Sequence, residues 1–146
     1  YGYRSGLNQS MIEYLTQKIY YLEQLVGLQA GNTVLDIGSN DCTLLKAYSN
    51  HKIQRIGIDP TGIKFFSYYP NEIKLIPDYF SAANYFSATD KPAKIVTSIA
   101  MFYDLENPIH FAQEIMTILA EDGIWHFEQS YMPTMIRLNT YDTICH

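Results

Sequence analysis

Thr33-Val34-Leu35-Asp36-Ile37-Gly38-Ser39-Asn40-Asp41 decides the fold. A short β-branched apolar run closed by glycine reads as a strand buried on both faces, the signature of a parallel sheet. Working outward, residues 8–27 place Met11, Ile12, Leu15, Ile19, Leu22, Leu25 and Val26 on one helical face, with Gly27 suited to the helix end. Beyond the glycine turn, the pattern predicts a short helix over 43–49, a strand over 53–59 stopped by Pro60, a helix over 61–69 and a strand over 73–76 before Pro77. A helix over 81–88 and a strand over 93–100 follow, the latter introduced by Asp90-Lys91-Pro92. Asn107-Pro108 starts another helix with Ile109, Ala112, Ile115, Met116 and Leu119 on one face, and Glu121-Asp122-Gly123 turns into a fifth strand, 124–129. In that strand His126, between Trp125 and Phe127, reads as a core histidine. From Ser130 the chain reads as extended with a short helix. Strand and helix alternate, which gives right-handed βαβ units: an α/β, Rossmann-like open parallel sheet with helices on both faces.

The 146 residues make one domain, 1–146, large enough for its own core. At 47% hydrophobic and 17% charged, the composition excludes disorder and coiled coil. A net charge of -5 with only 10 Lys+Arg leaves no basic stripe for a phosphate backbone, so nucleic acid is excluded as a partner, and the 13 tyrosines read as cover for a sheet and an aromatic cleft. No apolar run has a membrane-spanning length and no signal-peptide pattern opens the chain, so a cytoplasmic setting is expected. Cys42 and Cys145 lack partners at zinc-site spacing, so neither metal nor disulfide framework is implied. A first residue of Tyr and an unstopped C-terminus read as cuts from a longer chain.

In such sheets ligands bind beyond the carboxyl ends of the strands, where strand order reverses. At the first strand end, Gly38 permits close backbone approach and Asn40 tolerates the left-handed conformation of a tight turn, with Ser39 between them. The second and third glycines of a dinucleotide fingerprint are absent. Asp36, two residues ahead of Gly38, would repel a phosphate but suits an ammonium group. Asp59-Pro60, about 20 residues after the turn, places a carboxylate where a ribose diol binds. After the third strand, Asp78 can accept from an adenine amine while Tyr79 and Phe80 cover the base; Ala100 closes the fourth strand at the same edge. Each acid alone is equally a turn or cap residue. Together they describe a site for adenosine with a cationic amino-acid tail, which is S-adenosylmethionine.

These residues resemble the class I methyltransferases, and more closely the sugar C-methyltransferases that act on nucleotide-linked deoxysugars. The likeness rests on Tyr1-Gly2-Tyr3-Arg4-Ser5-Gly6, on 34–41, on Asp59-Pro60, on Phe127-Glu128-Gln129-Ser130-Tyr131 and on Tyr141-Asp142-Thr143-Ile144-Cys145-His146, and so covers nearly the whole chain. The first and last of these segments are the most specific. Family members usually carry Gly at the position of Cys42, whose β-carbon resists positive φ, so the loop is expected to sit differently. The resemblance also implies a cysteine-rich zinc module ahead of Tyr1 and a Glu-His pair after His146 that supplies the catalytic base; neither is in this sequence.

C-methylation needs an oriented methyl donor, in-line attack and a base. The resemblance places Tyr3 near the donor's methionine end, where it serves catalysis; otherwise it packs the first helix. Glu128, ending the fifth strand, is expected to face the crevice and to bind sugar hydroxyls or assist proton transfer; otherwise it caps the next turn. Tyr103-Asp104 borders the substrate cleft or leads the following helix. His51 and His110 read as surface residues, and His146 adjoins the expected base. The leading expectation is an S-adenosylmethionine-dependent methyltransferase acting on a small-molecule acceptor such as a nucleotide sugar. The alternatives are a cofactor-holding module without turnover and a nucleotide-dependent oxidoreductase. An exposed edge on the fifth strand is also expected, because the sequence after Gln129 is too short for a further hairpin.

Overall fold

The computed structural model describes residues 4–140. The expectations on Tyr3, on Cys145 and His146, and on the terminal motif 141–146 fall outside the described residues. The elements run α1 Gln9–Val26, β1 Thr33–Ile37, α2 Thr43–Lys46, β2 Gln54–Ile58, β3 Ile73–Ile76, α3 Ala82–Ala88, β4 Ala93–Ile99, α4 Pro108–Ile118, β5 Leu119–Glu128 and α5 Met132–Leu138. Short 3-10 turns cover Ser5–Leu7, Gly62–Tyr68 and Phe102–Asp104. The strands form one five-stranded parallel sheet in the order β3-β2-β1-β4-β5. The chain winds outward from β1 to β3, then returns to lay β4 on the other side of β1. The order reverses between β1 and β4, which opens a crevice at their carboxyl ends.

Helices end where the sequence supplies partners for their orphan backbone groups. The Asn8 side chain accepts from Ser10 N at 3.0 Å, Ser81 from Asn84 N at 3.1 Å and Asn107 from His110 N at 3.0 Å. Gly27 closes α1 in the left-handed conformation.

Alternation along β1 divides the core. Val34 faces Leu15, Ile19 and Leu22 of α1 and Leu44 and Leu45 of α2. Leu35 and Ile37 face Ala82 and Tyr85 of α3 and Phe111, Ile115 and Ile118 of α4. Each fully buried Leu or Ile contributes about 1.5–3 kcal/mol, so both layers are needed to hold the sheet.

Four details differ from the sequence reading. On α4 the buried stripe is Phe111, Ile115 and Ile118, while Ile109 and Met116 are exposed, because two apolar stripes compete and the one carrying the aromatic ring meets the sheet. Residues Gly62–Tyr68 wind as 3-10 rather than α: the segment is rich in aromatic and β-branched residues and buries only Gly62 and Phe65. β5 starts at Leu119, and the expected turn at Glu121-Asp122-Gly123 is an irregularity within it, where the register jumps from Ala93↔Leu119 to Ile95↔Ile124. His126 is a half-buried edge-strand residue, not a core histidine, its side chain being 28% exposed. Among the described residues β5 pairs only with β4. No described helix is long and apolar enough to cross a membrane.

Candidate functional site

Four backbone positions of positive φ frame the crevice. Gly38 has φ 76°, Asn40 47° and Cys42 67° in the β1–α2 loop, and Ala100 has φ 53° beyond β4. Gly38 and Asn40 take these values cheaply; Cys42 and Ala100 are held against a cost of about 1 kcal/mol each. Despite its β-carbon, Cys42 adopts the left-handed conformation at the start of α2, where its side chain is fully buried. Burial pushes its thiol up to about 12, so it is inert. Ala100 is fixed by its N–H donating to the Glu128 carbonyl at 2.8 Å.

Asp59 ties the two strand ends together. Its Oδ2 accepts from Asn40 N at 2.8 Å, and its Oδ1 accepts from Thr61 N and Thr61 Oγ1, both at 2.7 Å. A carboxylate offers about four acceptor directions, so one remains for a ligand hydroxyl. Ser39 is buried; its Oγ accepts from Tyr69 Oη at 2.8 Å and its side chain fills the space above Gly57, where a β-carbon would lie 2.5 Å from that oxygen. Gly57 is therefore required by the loop as well as by the strand.

A cavity of about 410 Å³ opens beside this loop. Ile37, Gly38 and Asn40 line it from β1, and Ile58, Asp59, Pro60 and Thr61 from β2. Tyr79 and Phe80 enter after β3; Met101, Asp104 and Leu105 enter after β4, with Phe65 and Phe111 completing an apolar wall. The size is that of a small-molecule site.

The structure brings Gly38, Asn40, Asp59, Pro60 and Tyr79 together on this wall and leaves other candidates off it. Asp78 is an exposed neighbour whose Oδ1 accepts from Tyr79 N at 2.7 Å, and Ala100 is exposed beside Met101. Asp36 lies behind the loop, 4% exposed, accepting from Thr97 Oγ1 at 2.6 Å. Burial, opposed by that bond and reinforced by the Asp59 charge, pushes its carboxyl up to about 7. Glu128, expected to face the crevice, instead joins α1 to β5: it accepts from Tyr14 Oη at 2.6 Å, pairs with Lys18 and lies 3.3 Å from His126 Nε2. The reason is strand alternation, which sends Trp125 and Phe127 toward the aromatic layer and His126 and Glu128 toward α1. The wall residues Met101, Leu105, Phe65 and Phe111 escaped the sequence reading, since apolar residues in turns and on a helix carry no ligand signal; only their position next to strand ends could have marked them.

The chain leading in from the N-terminus is pinned to the same loop. Asp41 accepts from Gly6 N at 3.1 Å and from Thr43 Oγ1 at 2.6 Å and pairs with Arg4 at 3.4 Å, while the Arg4 guanidinium stacks 3.8 Å over the Tyr68 ring.

Sheet order and the left-handed glycine turn after β1 are those of the Rossmann-like core fold of the class I methyltransferases. Among proteins of known activity, the chain is 22% identical to the C-methyltransferase NovU of Streptomyces niveus over 148 aligned residues, covering 100% of this chain and 35% of that protein. Among solved structures, it resembles the plantazolicin methyltransferase BpumL in complex with a pentazolic desmethylPZN analog and SAH, with TM-score 0.67 and 20% identity over 90% of this chain and 51% of that one. It also resembles coclaurine N-methyltransferase bound to N-methylheliamine and SAH, with TM-score 0.59 and 11% identity over 79% and 35% of the two chains. The chain thus spans about a third to a half of these proteins. No protein-family profile matches it.

Proposed function

We propose that this chain is the cofactor-binding core of an S-adenosylmethionine-dependent methyltransferase whose acceptor is a small molecule, a carbon of a nucleotide-linked sugar in particular, acting in the cytoplasm. The observation that carries the reading is the meeting of the Gly38 turn and the Asp59 carboxylate at one cavity. The residues present fit the cofactor. Its wall holds carboxylates and aromatic rings but, among the described residues, no Lys, Arg or His, which suits adenosine with a cationic tail and disfavours a pyrophosphate. Alignment with a C-methyltransferase along the full chain supports carbon as the methylated atom.

In this reading Asp59 accepts from the ribose, Tyr79 and Phe80 cover the base, and the open backbone at Gly38 lets the amino-acid tail approach. Bound S-adenosylmethionine supplies an electrophilic methyl on a sulfonium. The apolar wall excludes water from that methyl, and the rigid loop fixes its line of approach. The described residues around the cavity include no histidine.

Adding S-adenosylmethionine and NAD separately and following the melting temperature tests the cofactor: stabilisation by the first alone is expected, and stabilisation by NAD alone overturns the assignment. A second reading, a module that holds the cofactor without turnover, is favoured by the engagement of Glu128 with Lys18, Tyr14 and His126. Methyl transfer to nucleotide sugars, assayed for this chain and for one extended beyond His146, separates the two.

A further inference from the structure

Outside the cavity, one buried acid joins the segment before α1 to the β1–α2 loop. Asp41 is 1% exposed and is absent from the cavity wall. Its Oδ1 accepts from Thr43 Oγ1 at 2.6 Å, and its Oδ2 accepts from Gly6 N at 3.1 Å and from Arg4 Nε at 3.4 Å. Only glycine fits at position 6 in this arrangement. A β-carbon there would lie 2.8 Å from Thr43 Oγ1 and 2.9 Å from Asp41 Oδ2, two groups already fixed by their bonding within the loop. On the other side Arg4 stacks over Tyr68, and the hydroxyl of the next residue, Tyr69, reaches Ser39 Oγ at 2.8 Å and the Asn40 carbonyl at 3.1 Å. The loop is thus held from two sides, and Arg4 touches both.

The residues flanking Asp41, Asn40 and Cys42, have φ 47° and 67°. Non-glycine residues keep such conformations only where surrounding contacts over-determine them. Asn40 lines the cavity, and its N–H holds Asp59 Oδ2 at 2.8 Å. We propose that Asp41 is a positioning residue through which the seating of Arg4–Gly6 sets the affinity of the cavity for its cofactor. This rests on the cofactor reading above. With Gly6 and Arg4 seated, the buried carboxylate has donors on both oxygens. With them withdrawn it keeps only the Thr43 hydroxyl, and the loop relieves the cost of that buried charge by leaving its left-handed conformations. Asn40 N then releases Asp59, and the ribose acceptor loses its orientation. The coupling runs both ways: a ligand that favours the ordered loop favours the seated segment by the same factor.

Two variants of the 146-residue chain test this. Gly6→Ala sets one methyl against Asp41 and removes no polar group from loop or cavity; Asp41→Asn removes the charge in the same shape. Calorimetry with S-adenosylmethionine and with S-adenosylhomocysteine should show Kd raised by about fivefold to fiftyfold in both variants. Amide hydrogen exchange followed by NMR supplies the readout that a purely structural role would not move. In unliganded Gly6→Ala the Asn40 amide should exchange faster while those of Val34–Ile37 in β1 keep their rates. Saturating S-adenosylhomocysteine should slow exchange of the Gly6 amide in the parent chain and leave it unaltered in Asp41→Asn. If Asp41→Asn does not fold, Gly6→Ala carries the test. Unchanged Kd in Gly6→Ala, or an Asn40 amide no less protected there, overturns the role of Asp41 alone. A parent chain that binds neither ligand overturns the cofactor reading and this inference with it.

Discussion

Asp59 and Asp36 are both buried carboxylates near one loop, yet their partners give them different roles. Asp59 receives two backbone N–H groups and a hydroxyl, and keeps one acceptor direction for a ligand. Asp59→Ala should weaken S-adenosylmethionine by about 1.5–3 kcal/mol, the range for a hydrogen bond to a charged group, measured by calorimetry. Unchanged affinity would remove the ribose assignment. Asp36 receives one hydroxyl and is otherwise surrounded by protein, which holds its carboxyl up at about 7. Since the unfolded chain ionises near 3.8, the fold binds the extra proton between these values, so this group costs no stability below pH 4 and an increasing amount up to pH 7. Asp36→Asn should therefore gain more in urea unfolding at pH 8 than at pH 4, by roughly 2–4 kcal/mol. Parallel pH curves for the two proteins would show that Asp36 is not held neutral.

At the level of elements, α1 and β5 are joined by the Tyr14, Lys18, His126 and Glu128 cluster, and the β1–α2 loop by Asp41 to the segment before α1. Burial, and then the Lys18 charge, lower the pKa of His126; burial also lowers that of Lys18. With Glu128 left in place, Lys18→Met removes the repelling cation and keeps the attracting anion. The His126 pKa, followed by NMR, should rise. A fall, or no movement, would mean that the cluster is not formed in solution. The position of Glu128 in this cluster also explains why it is absent from the cavity wall: its side chain is directed by strand alternation to the α1 side.

Among the described residues the two outer strands, β3 and β5, each pair on one side only, and on β5 Phe127 is 42% exposed. Unpaired backbone groups on an edge strand invite another strand. The chain should self-associate at tens of micromolar, in the concentration range where edge pairing competes with solvation. Phe127→Lys should shift it toward monomer in sedimentation velocity, with unchanged circular dichroism. Parent material that stays monomeric throughout would show that the edge is protected in solution.

The alternation of strand and helix, the caps at Asn8, Ser81 and Asn107, and the loop at Gly38 were legible in the sequence because each follows from local chemistry: side-chain period, a short polar side chain before a helix, a residue that accepts positive φ. The pairing of Asp59 with that loop was legible from spacing alone, because the βαβ unit fixes how far one strand end lies from the next. Other features were decided only by tertiary structure. Which of two apolar stripes on α4 met the sheet, whether Asp36 lay in the cavity or behind it, and which way Glu128 pointed all depended on register and on which face of the sheet a residue occupied. A one-residue change of register on a strand reverses the face, and no local signal in residues 119–128 reveals the irregularity that set it. The apolar wall of Met101, Leu105 and Phe111 belongs to the same class, since residues far apart in the chain become a surface only when the sheet brings their loops to one edge.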